Sequence, residues 1–267
     1  MEATSGRGRG SCVSLLTDTM TTFSKIDELK IRLDNLRQAL DNERIREALR
    51  VEFLYESNRI EGNTLTLRET QLVINEGITI SGKTIREHLE AINHKEAILF
   101  VEEIVVQKTH LTEYVLKQIH ALVLYGIDRQ NAGVYRSVPV MIAGSQHLPP
   151  QPYLVPSLME DYFRFYSENK NICHPVELCA EMHERLVTIH PFIDGNGRTA
   201  RLIMNLILLQ NGYPLAILGG DYESRMAYYN ALERVQTHND KSVFIELIAT
   251  KVFDALERYI RILEPLE

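Results

Sequence analysis

The feature that most restricts the fold is an apolar pattern with three- and four-residue spacing, which recurs along most of the chain. In the first segment this pattern consists of Ile26, Leu29, Leu33, Leu36, Leu40, Ile45, Leu49 and Phe53. Such spacing places apolar side chains on one face of an α-helix. The step from Leu40 to Ile45 is longer than the rest, so a break at Asp41 and Asn42 would divide the segment into two helices.

The same spacing predicts further helices after Gly62 and Asn63, which end the first helical segment. Thr66 and Glu69 form a capping-box pattern at the start of a short helix that runs to Gly77. Longer helices are predicted over residues 84–107, 112–125, 155–169, 174–189, 198–211, 224–237 and 241–262. We therefore predict an all-α fold.

One stretch interrupts the helical pattern. Residues 126–156 contain three glycines and five prolines, together with a run of β-favouring residues. This composition predicts a small β-hairpin flap in a helical protein. Its backbone could pair with an extended segment of a partner protein, or the hairpin could be purely structural. The flap residues are Val140, Met141, Ile142, Ala143, Gly144, Ser145, Gln146 and His147.

Composition and charge exclude several classes of protein. Of the 267 residues 45% are hydrophobic and 24% are charged, as in ordinary globular proteins, and the net charge of −7 argues against non-specific nucleic-acid binding. No run of about 20 apolar residues is present, so no membrane-spanning helix is expected. Three cysteines are too few for a disulfide framework. We expect a cytoplasmic location, no membrane or nucleic-acid partner, and a disordered leader over residues 1–19.

Residues 190–201 carry the clearest chemical signal, and they read His-Pro-Phe-Ile-Asp-Gly-Asn-Gly-Arg-Thr-Ala-Arg. Pro191 should end the preceding apolar helix near His190, and a second apolar helix begins after Gly197. A glycine-containing loop that opens into a helix presents backbone N–H groups and the positive end of the helix dipole. The segment therefore predicts an anion site suited to phosphates.

The side chains of this segment add to the prediction. Arg198 and Arg201 lie three residues apart on the same face of the first helical turn, where both guanidinium groups can bind phosphate oxygens. Asp194 supplies a carboxylate, which together with phosphate oxygens and water is a typical set of Mg²⁺ ligands. His190 can accept a proton near neutral pH. Each residue alone has an ordinary structural explanation, but the combination favours nucleotide chemistry.

The segment resembles the Fic motif, His-Pro-Phe-x-Asp/Asn-Gly-Asn-Gly-Arg-x-x-Arg, and it matches every specified position. Gly133-Val134-Tyr135-Arg136 and the flap are also similar to the family, and the resemblance covers roughly residues 50–250. It implies a Fic core over residues 111–250. A helical region over residues 20–110 would precede the core, and the end of a C-terminal helix would follow it over residues 251–267.

The resemblance also implies roles for the residues. His190 would deprotonate a protein hydroxyl, whose oxygen attacks the α-phosphate of ATP, and Asp194 would hold Mg²⁺ or Mn²⁺. Arg198 and Arg201 would contact the β- and γ-phosphates. The anion hole would be lined by Gly195, Asn196 and Gly197. The flap would position the target, and Tyr229 and Gln236 fall where relatives contact adenine, although a core helix with aromatic residues explains them equally well.

A second motif lies far upstream. Residues 57–63 read Ser-Asn-Arg-Ile-Glu-Gly-Asn and resemble the inhibitory signature of the family, Ser/Thr-x-x-x-Glu-Gly/Asn, on an inhibitory helix at about residues 50–63. Ser57 and Glu61 share one helix face. A pair between Glu61 and Arg201 would remove a γ-phosphate ligand from the site. The simpler alternative is an ordinary helix end with Glu61 in solvent.

The resemblance implies a protein adenylyltransferase that moves AMP from ATP to a Ser, Thr or Tyr hydroxyl and is inhibited by Glu61. The target would be another protein or the chain itself, and a homodimer is compatible with the sequence. Two alternatives stay open. The same fold could remove AMP or use another phosphate donor, or the chain could be a non-catalytic adaptor with a vestigial site.

Overall fold

The computed structural model describes residues 17–40 and 43–264, and this part of the chain is helical without any β-strand. The all-α prediction is confirmed. The described helices are α1 (Thr17–Leu40), α2 (Glu43–Ile60), α3 (Leu67–Gln71), α4 (Ile85–Val106), α5 (Glu113–Val123), α6 (Val155–Asn169), α7 (Pro175–Ile189), α8 (Asn196–Gln210), α9 (Tyr222–His238) and α10 (Ser242–Leu263). A π-helical turn, Leu72–Glu76, follows α3, and a 3₁₀ turn, Pro152–Leu154, precedes α6.

Local signals determine where several helices begin and end. Thr66 and Thr84 each form a capping box with the glutamate three residues on, and Thr112 and Asp221 cap α5 and α9. From α2 onward the helix bounds agree with the sequence prediction within about two residues, and the predicted break lies between α1 and α2, but α1 begins at Thr17, well before the predicted start at Ile26. The predicted leader falls mostly outside the described residues, but Thr17–Thr19 belong to α1, so the leader was drawn too long.

The core is built around α7 and α8, which pack against each other and are joined by residues 190–195. Leu202, Ile203 and Leu206 on α8 are fully buried. Helices α4 and α5 pack against α8, α6 and α10 pack against α7, and α1 covers α10. A helix that is apolar on all sides must be enclosed in this way. The arrangement fixes the loop between α7 and α8 at one end of the core.

The flap differs from the prediction, because the described chain forms no β-ladder there. Prolines at 139 and 149 lack the backbone N–H that a ladder needs. The carbonyls of Val138 and Pro150 instead accept hydrogen bonds from Arg136, at 3.2 and 2.5 Å. The segment is therefore an extended flap with a turn at Gly144, and the Arg136 guanidinium group holds its two ends together.

None of the described helices is long and apolar enough to cross a membrane.

Candidate active site

The loop between α7 and α8 is closed by its own side chains. The Asn196 amide donates to the Phe192 carbonyl at 2.9 Å and accepts from the Phe192 N–H at 3.0 Å. Gly195 has a φ of +78°, and a Cβ there would lie 3.2 Å from Val123 Cγ1, so glycine is required for both conformation and space. The Asn196 side chain therefore holds the loop together, and both of its polar atoms are already bonded to the Phe192 backbone.

His120 on α5 supports the same loop from below. Its Nε2 donates to the Asp194 carbonyl at 2.9 Å, its Nδ1 accepts from the Gly133 N–H at 2.8 Å, and its ring stacks on Phe192 at 3.6 Å. These two partners define a neutral tautomer, and burial lowers the pKa of His120 to about 4. The imidazole thus joins the loop to the chain segment that enters the flap.

His190 lies at the end of α7 in the left-handed conformation, with φ +50°. Arg136 Nε donates to the His190 carbonyl at 2.8 Å and thereby satisfies an acceptor at the helix terminus. His190 Nδ1 lies 3.4 Å from the Val187 carbonyl, which leaves the Nε2 lone pair free. Burial lowers the pKa of His190 to about 4, so the imidazole is neutral at physiological pH and can accept a proton.

Asp194 and Arg198 belong to a network of charges at the mouth of the site. Arg198 Nη2 lies 3.4 Å from Asp194 Oδ1, and Arg198 Nη1 lies 3.5 Å from Glu90 Oε1. Arg86 donates to Asp194 Oδ2 at 2.6 Å and to Glu90 Oε1 at 3.1 Å. The neighbouring guanidinium groups and the Gly195 N–H lower the pKa of Asp194 despite its partial burial, which keeps the carboxylate ionised.

Arg201 is 1% exposed and contacts the end of α2. Its Nε donates to Ser57 Oγ at 2.8 Å, and its Nη2 donates to the Ser57 carbonyl at 3.0 Å and to Glu61 Oε1 at 2.6 Å. Glu61 Oε1 also lies 2.5 Å from where a Cβ on Gly197 would stand. The Glu61 carboxylate thus covers the first turn of α8, where the sequence predicts a phosphate.

Several buried N–H groups of the two arginines have no hydrogen-bond acceptor among the described residues. They are on Arg198 Nε, Arg201 Nη1 and Arg198 Nη1, the last of which has only the 3.5 Å ion pair with Glu90 Oε1. A buried donor without an acceptor carries a desolvation cost of about 1–3 kcal/mol. Arg198 is 3% exposed, so it cannot recover that cost by turning into solvent. These donors lie at the start of α8, and such a set of buried N–H groups favours an anion rich in oxygen atoms.

The residues predicted for adenine and for the target lie around this centre. Tyr229 on α9 donates to the Ile60 carbonyl at 3.1 Å, at the end of the predicted inhibitory helix, and Gln236 is half-buried two turns further along α9. The flap approaches α9 and α7, since the Gln146 N–H donates to Glu233 at 3.2 Å and His147 Nε2 lies 2.9 Å from the Thr188 carbonyl. Met141 at the flap is 84% exposed.

Sequence reasoning missed three residues that shape the site, namely His120, Arg86 and Glu90. The capping pattern at Thr84 places Arg86 in the first turn of α4 and Glu90 one turn later, which is a signal for an ion pair on one helix. No local signal connects either of them to the loop, because 108 residues separate Arg86 from Asp194. His120 carries no sequence signal beyond its place on the buried face of α5.

Comparison with known proteins gives a consistent set of relatives. A model of the Fic/DOC family matches residues 110–208. The chain is 34% identical over 263 residues to the protein adenylyltransferase Fic of Drosophila mojavensis, which covers 97% of this chain and 51% of that relative. The chain spans about half the length of the curated relatives it matches.

Two solved structures show the same fold. Fic-1 from C. elegans is 30% identical with a TM-score of 0.78, and the match covers 92% of this chain and 73% of that chain. A Fic family protein from Desulfovibrio desulfuricans G20 is 27% identical with a TM-score of 0.82, and the match covers 96% of this chain and 78% of that chain.

Proposed function

Because the chain belongs to the Fic/DOC family, we propose that it transfers AMP from ATP to a hydroxyl group of a protein. The observation that carries the proposal is the set of buried arginine N–H groups without acceptors at the start of α8, next to a neutral histidine. Oxygen atoms of a triphosphate would satisfy these donors. The relatives named protein adenylyltransferase add support from outside the site.

His190 acts as the general base in this proposal. Its Nε2 takes the proton from the target hydroxyl, the hydroxyl oxygen bonds to the α-phosphorus, and the bond to the departing pyrophosphate breaks. The low pKa of His190 keeps the base unprotonated before ATP binds. Phosphate charge will raise that pKa, because a nearby anion favours the imidazolium that forms during the reaction.

The phosphates are held by the start of α8 and its two arginines. Arg198 is fixed between Glu90 and Asp194, while Arg201 must exchange its contact with Glu61 for one with the γ-phosphate. Positioning of this kind accounts for much of the acceleration in phosphoryl transfer, because the protein contributes little covalent chemistry.

Asp194 suits a role as the protein ligand of Mg²⁺ or Mn²⁺. The described residues contain no group of three metal-ligating side chains, so most ligands must come from phosphate oxygens and water. Asp194 fits such a site, because its side chain is 41% exposed and its environment keeps it ionised. A bound divalent cation would neutralise charge on the phosphates, and excess EDTA or Asp194→Ala should therefore remove most of the activity.

We propose further that the end of α2 inhibits the enzyme. The Glu61 carboxylate lies on Arg201 and over Gly197, where it opposes a triphosphate both by charge and by volume. Its side chain is 34% exposed, and Ser57 keeps Arg201 in place beside it. ATP can enter only in a pose that leaves the α-phosphate out of line with the incoming hydroxyl.

AMP removal is a second candidate activity, and the position of Glu61 favours it. Glu61 lies close enough to His190 that its charge opposes the fall in the histidine pKa. A carboxylate in this place can orient a water molecule toward the phosphorus of a modified target. The target protein, the homodimer and the cytoplasmic location stay predictions from the sequence.

The test is incubation of the purified chain and its Glu61→Gly variant with ATP labelled at the α or the γ position. Adenylyl transfer predicts protein-bound label from α-labelled ATP alone, and His190→Ala is the matched control that should lose it. Label from the γ position alone would indicate a kinase. Absence of label from both nucleotides, with ATP binding intact, would support the adaptor alternative.

A further inference from the structure

Arg86 is the member of the charge network that the proposed function leaves unexplained. Its guanidinium donates to Asp194 Oδ2 at 2.6 Å, the shortest contact that the Asp194 carboxylate makes with a charged group. The other arginine on Asp194 is Arg198, at 3.4 Å from Oδ1. The carboxylate assigned to the metal is therefore already occupied by a cation of the protein itself.

The four charges form a closed ring of alternating sign. Arg86 contacts Asp194 and Glu90, and Arg198 contacts the same two carboxylates from the other side. Two positive and two negative groups balance each other, so the ring is neutral as it stands. A divalent cation at Asp194 would place excess positive charge beside Arg86 and would compete for the same oxygen.

The members of the ring differ in their freedom to move. The Arg86 side chain is 58% exposed, whereas Arg198 is 3% exposed and Glu90 is 11% exposed. Arg86 can leave Asp194 and keep Glu90, which lies four residues along the same helix. Arg198 is enclosed by the surrounding helices and cannot turn into solvent. Arg86 is therefore the residue whose guanidinium group must leave Asp194 when a metal binds.

Resting on the proposed function, we propose that Arg86 is a positioning residue that occupies Asp194 in the absence of metal and competes with the divalent cation for it. Arg86 holds the carboxylate in an ordered position, and the cation gains its ligand only by displacing the guanidinium. The metal dependence of ATP binding is thus set by a residue of α4 that lies outside the loop.

The experiment measures the dissociation constant of ATP by calorimetry in excess EDTA and again in excess Mg²⁺, for the wild type, Arg86→Gln and Arg86→Lys. The ratio of the dissociation constant in EDTA to the dissociation constant in Mg²⁺ reports how strongly the metal improves ATP binding. A direct contact between Arg86 and a phosphate changes both constants, whereas competition for Asp194 changes their ratio. This readout does not require the chain to transfer AMP.

We expect Arg86→Gln to increase the ratio by about three- to tenfold, as expected for loss of a half-exposed ion pair and of repulsion from the metal. Arg86→Lys should stay near the wild type, and the gain should shrink at high salt. Arg164→Gln is the matched control, because it removes an exposed arginine with a local acidic partner on α6. In an Asp194→Asn background, Arg86→Gln should no longer change the ratio.

An unchanged or smaller ratio in Arg86→Gln, with ATP still bound, would overturn this inference and leave the proposed function intact. A larger ratio, in a chain whose Glu61→Gly variant also transfers no AMP, would support the inference and contradict the transferase proposal. Failure of every variant to bind ATP would overturn both.

Discussion

The loop at residues 190–201 and the end of α2 at residues 57–63 meet at Arg201, but they are held in different ways. Within the loop, Asn196 hydrogen bonds twice to Phe192, four residues away. The end of α2 reaches the site through Ser57 and Glu61, which are 144 and 140 residues from Arg201. The loop is closed by its own side chains, with added support from His120 and Arg136, whereas the end of α2 is placed there by the packing of α2 against α4 and α8.

This difference separates two kinds of substitution. A change within the loop alters the base, the anion site or the fold of the loop. A change at the end of α2 alters access to Arg201 while the loop keeps its geometry, since its internal hydrogen bonds do not involve α2. Chemistry and inhibition should therefore respond independently to mutation, except at Arg201 itself.

The largest effect is expected from His190→Ala, which should lower the rate of transfer by about 10²–10⁴, because the proposed mechanism uses the imidazole as the proton acceptor. ATP affinity and the melting temperature should change little, since the arginines and Asn196 stay in place. Single-turnover transfer and calorimetric ATP binding measure the two quantities. His110→Ala removes an exposed histidine as a control. A variant that keeps the wild-type rate would refute the assignment of the base.

Glu61→Gly should raise the rate of transfer by about 10- to 100-fold, because it frees Arg201 for the γ-phosphate and lets the α-phosphate align. The rise in rate should exceed the rise in ATP affinity. Initial rates at saturating ATP and Mg²⁺ give the comparison. Glu56→Gly, one turn earlier on α2, is the matched control for loss of a helical carboxylate. Equal rates for the wild type and Glu61→Gly would mean that Glu61 is only the end of a helix.

Asn196→Ala should destabilise the chain by about 2 kcal/mol, since it leaves the buried N–H and carbonyl of Phe192 without partners. Transfer should fall as well, because the loop loses its closure. Urea unfolding followed by circular dichroism measures the stability. Asn211→Ala, just after α8, removes an exposed amide with one backbone contact and should cost less. If both variants were equally stable, the loop would not depend on its internal bonds.

His120 should contribute about 1–2 kcal/mol to the loss of stability when the pH drops from 6.5 to 5, because burial holds its pKa at about 4. Other buried histidines with a lowered pKa, such as His190, add to the same loss. Between these pH values the unfolded chain binds a proton at His120 and the folded chain does not. The stability is therefore complete above pH 6.5 and is lost toward pH 4. His120→Asn should flatten the dependence in urea unfolding at pH 5, 6 and 7, while His110→Asn should not. Identical slopes would contradict the assignment.

Ser57→Ala should give the smallest effect, a rise in transfer of about three- to fivefold. It removes the Oγ contact to Arg201 Nε and leaves both the Ser57 carbonyl and Glu61 in place. A single hydrogen bond contributes about 1 kcal/mol to such an arrangement. The measurement compares initial rates of transfer for the wild type and Ser57→Ala. Ser167→Ala, which changes an exposed serine on α6, is the control. A rise as large as that of Glu61→Gly would shift the inhibitory role from the carboxylate to the serine.

Local signals in the sequence predicted the helices and the loop because their causes are local. Capping boxes at Thr66 and Thr84 satisfy orphan N–H groups within three residues, and apolar spacing determines which face of each helix is buried. The flap shows the opposite case. Its β-favouring residues predicted strands, but Arg136 donates hydrogen bonds to the carbonyls of Val138 and Pro150 and holds the segment in an extended conformation instead.

The sequence by itself determined the helical fold, the loop between α7 and α8 and the identity of the residues proposed to bind phosphate there, since each depends on neighbours a few positions apart. Tertiary structure alone decided that Glu61 lies on Arg201 and that Arg86 lies on Asp194. The packing of α2 and α4 against α8 also buries Arg201 and Arg198, which leaves their N–H groups without water. Long-range ion pairs and desolvation have no spacing rule, because they depend on which surfaces the folded chain brings together.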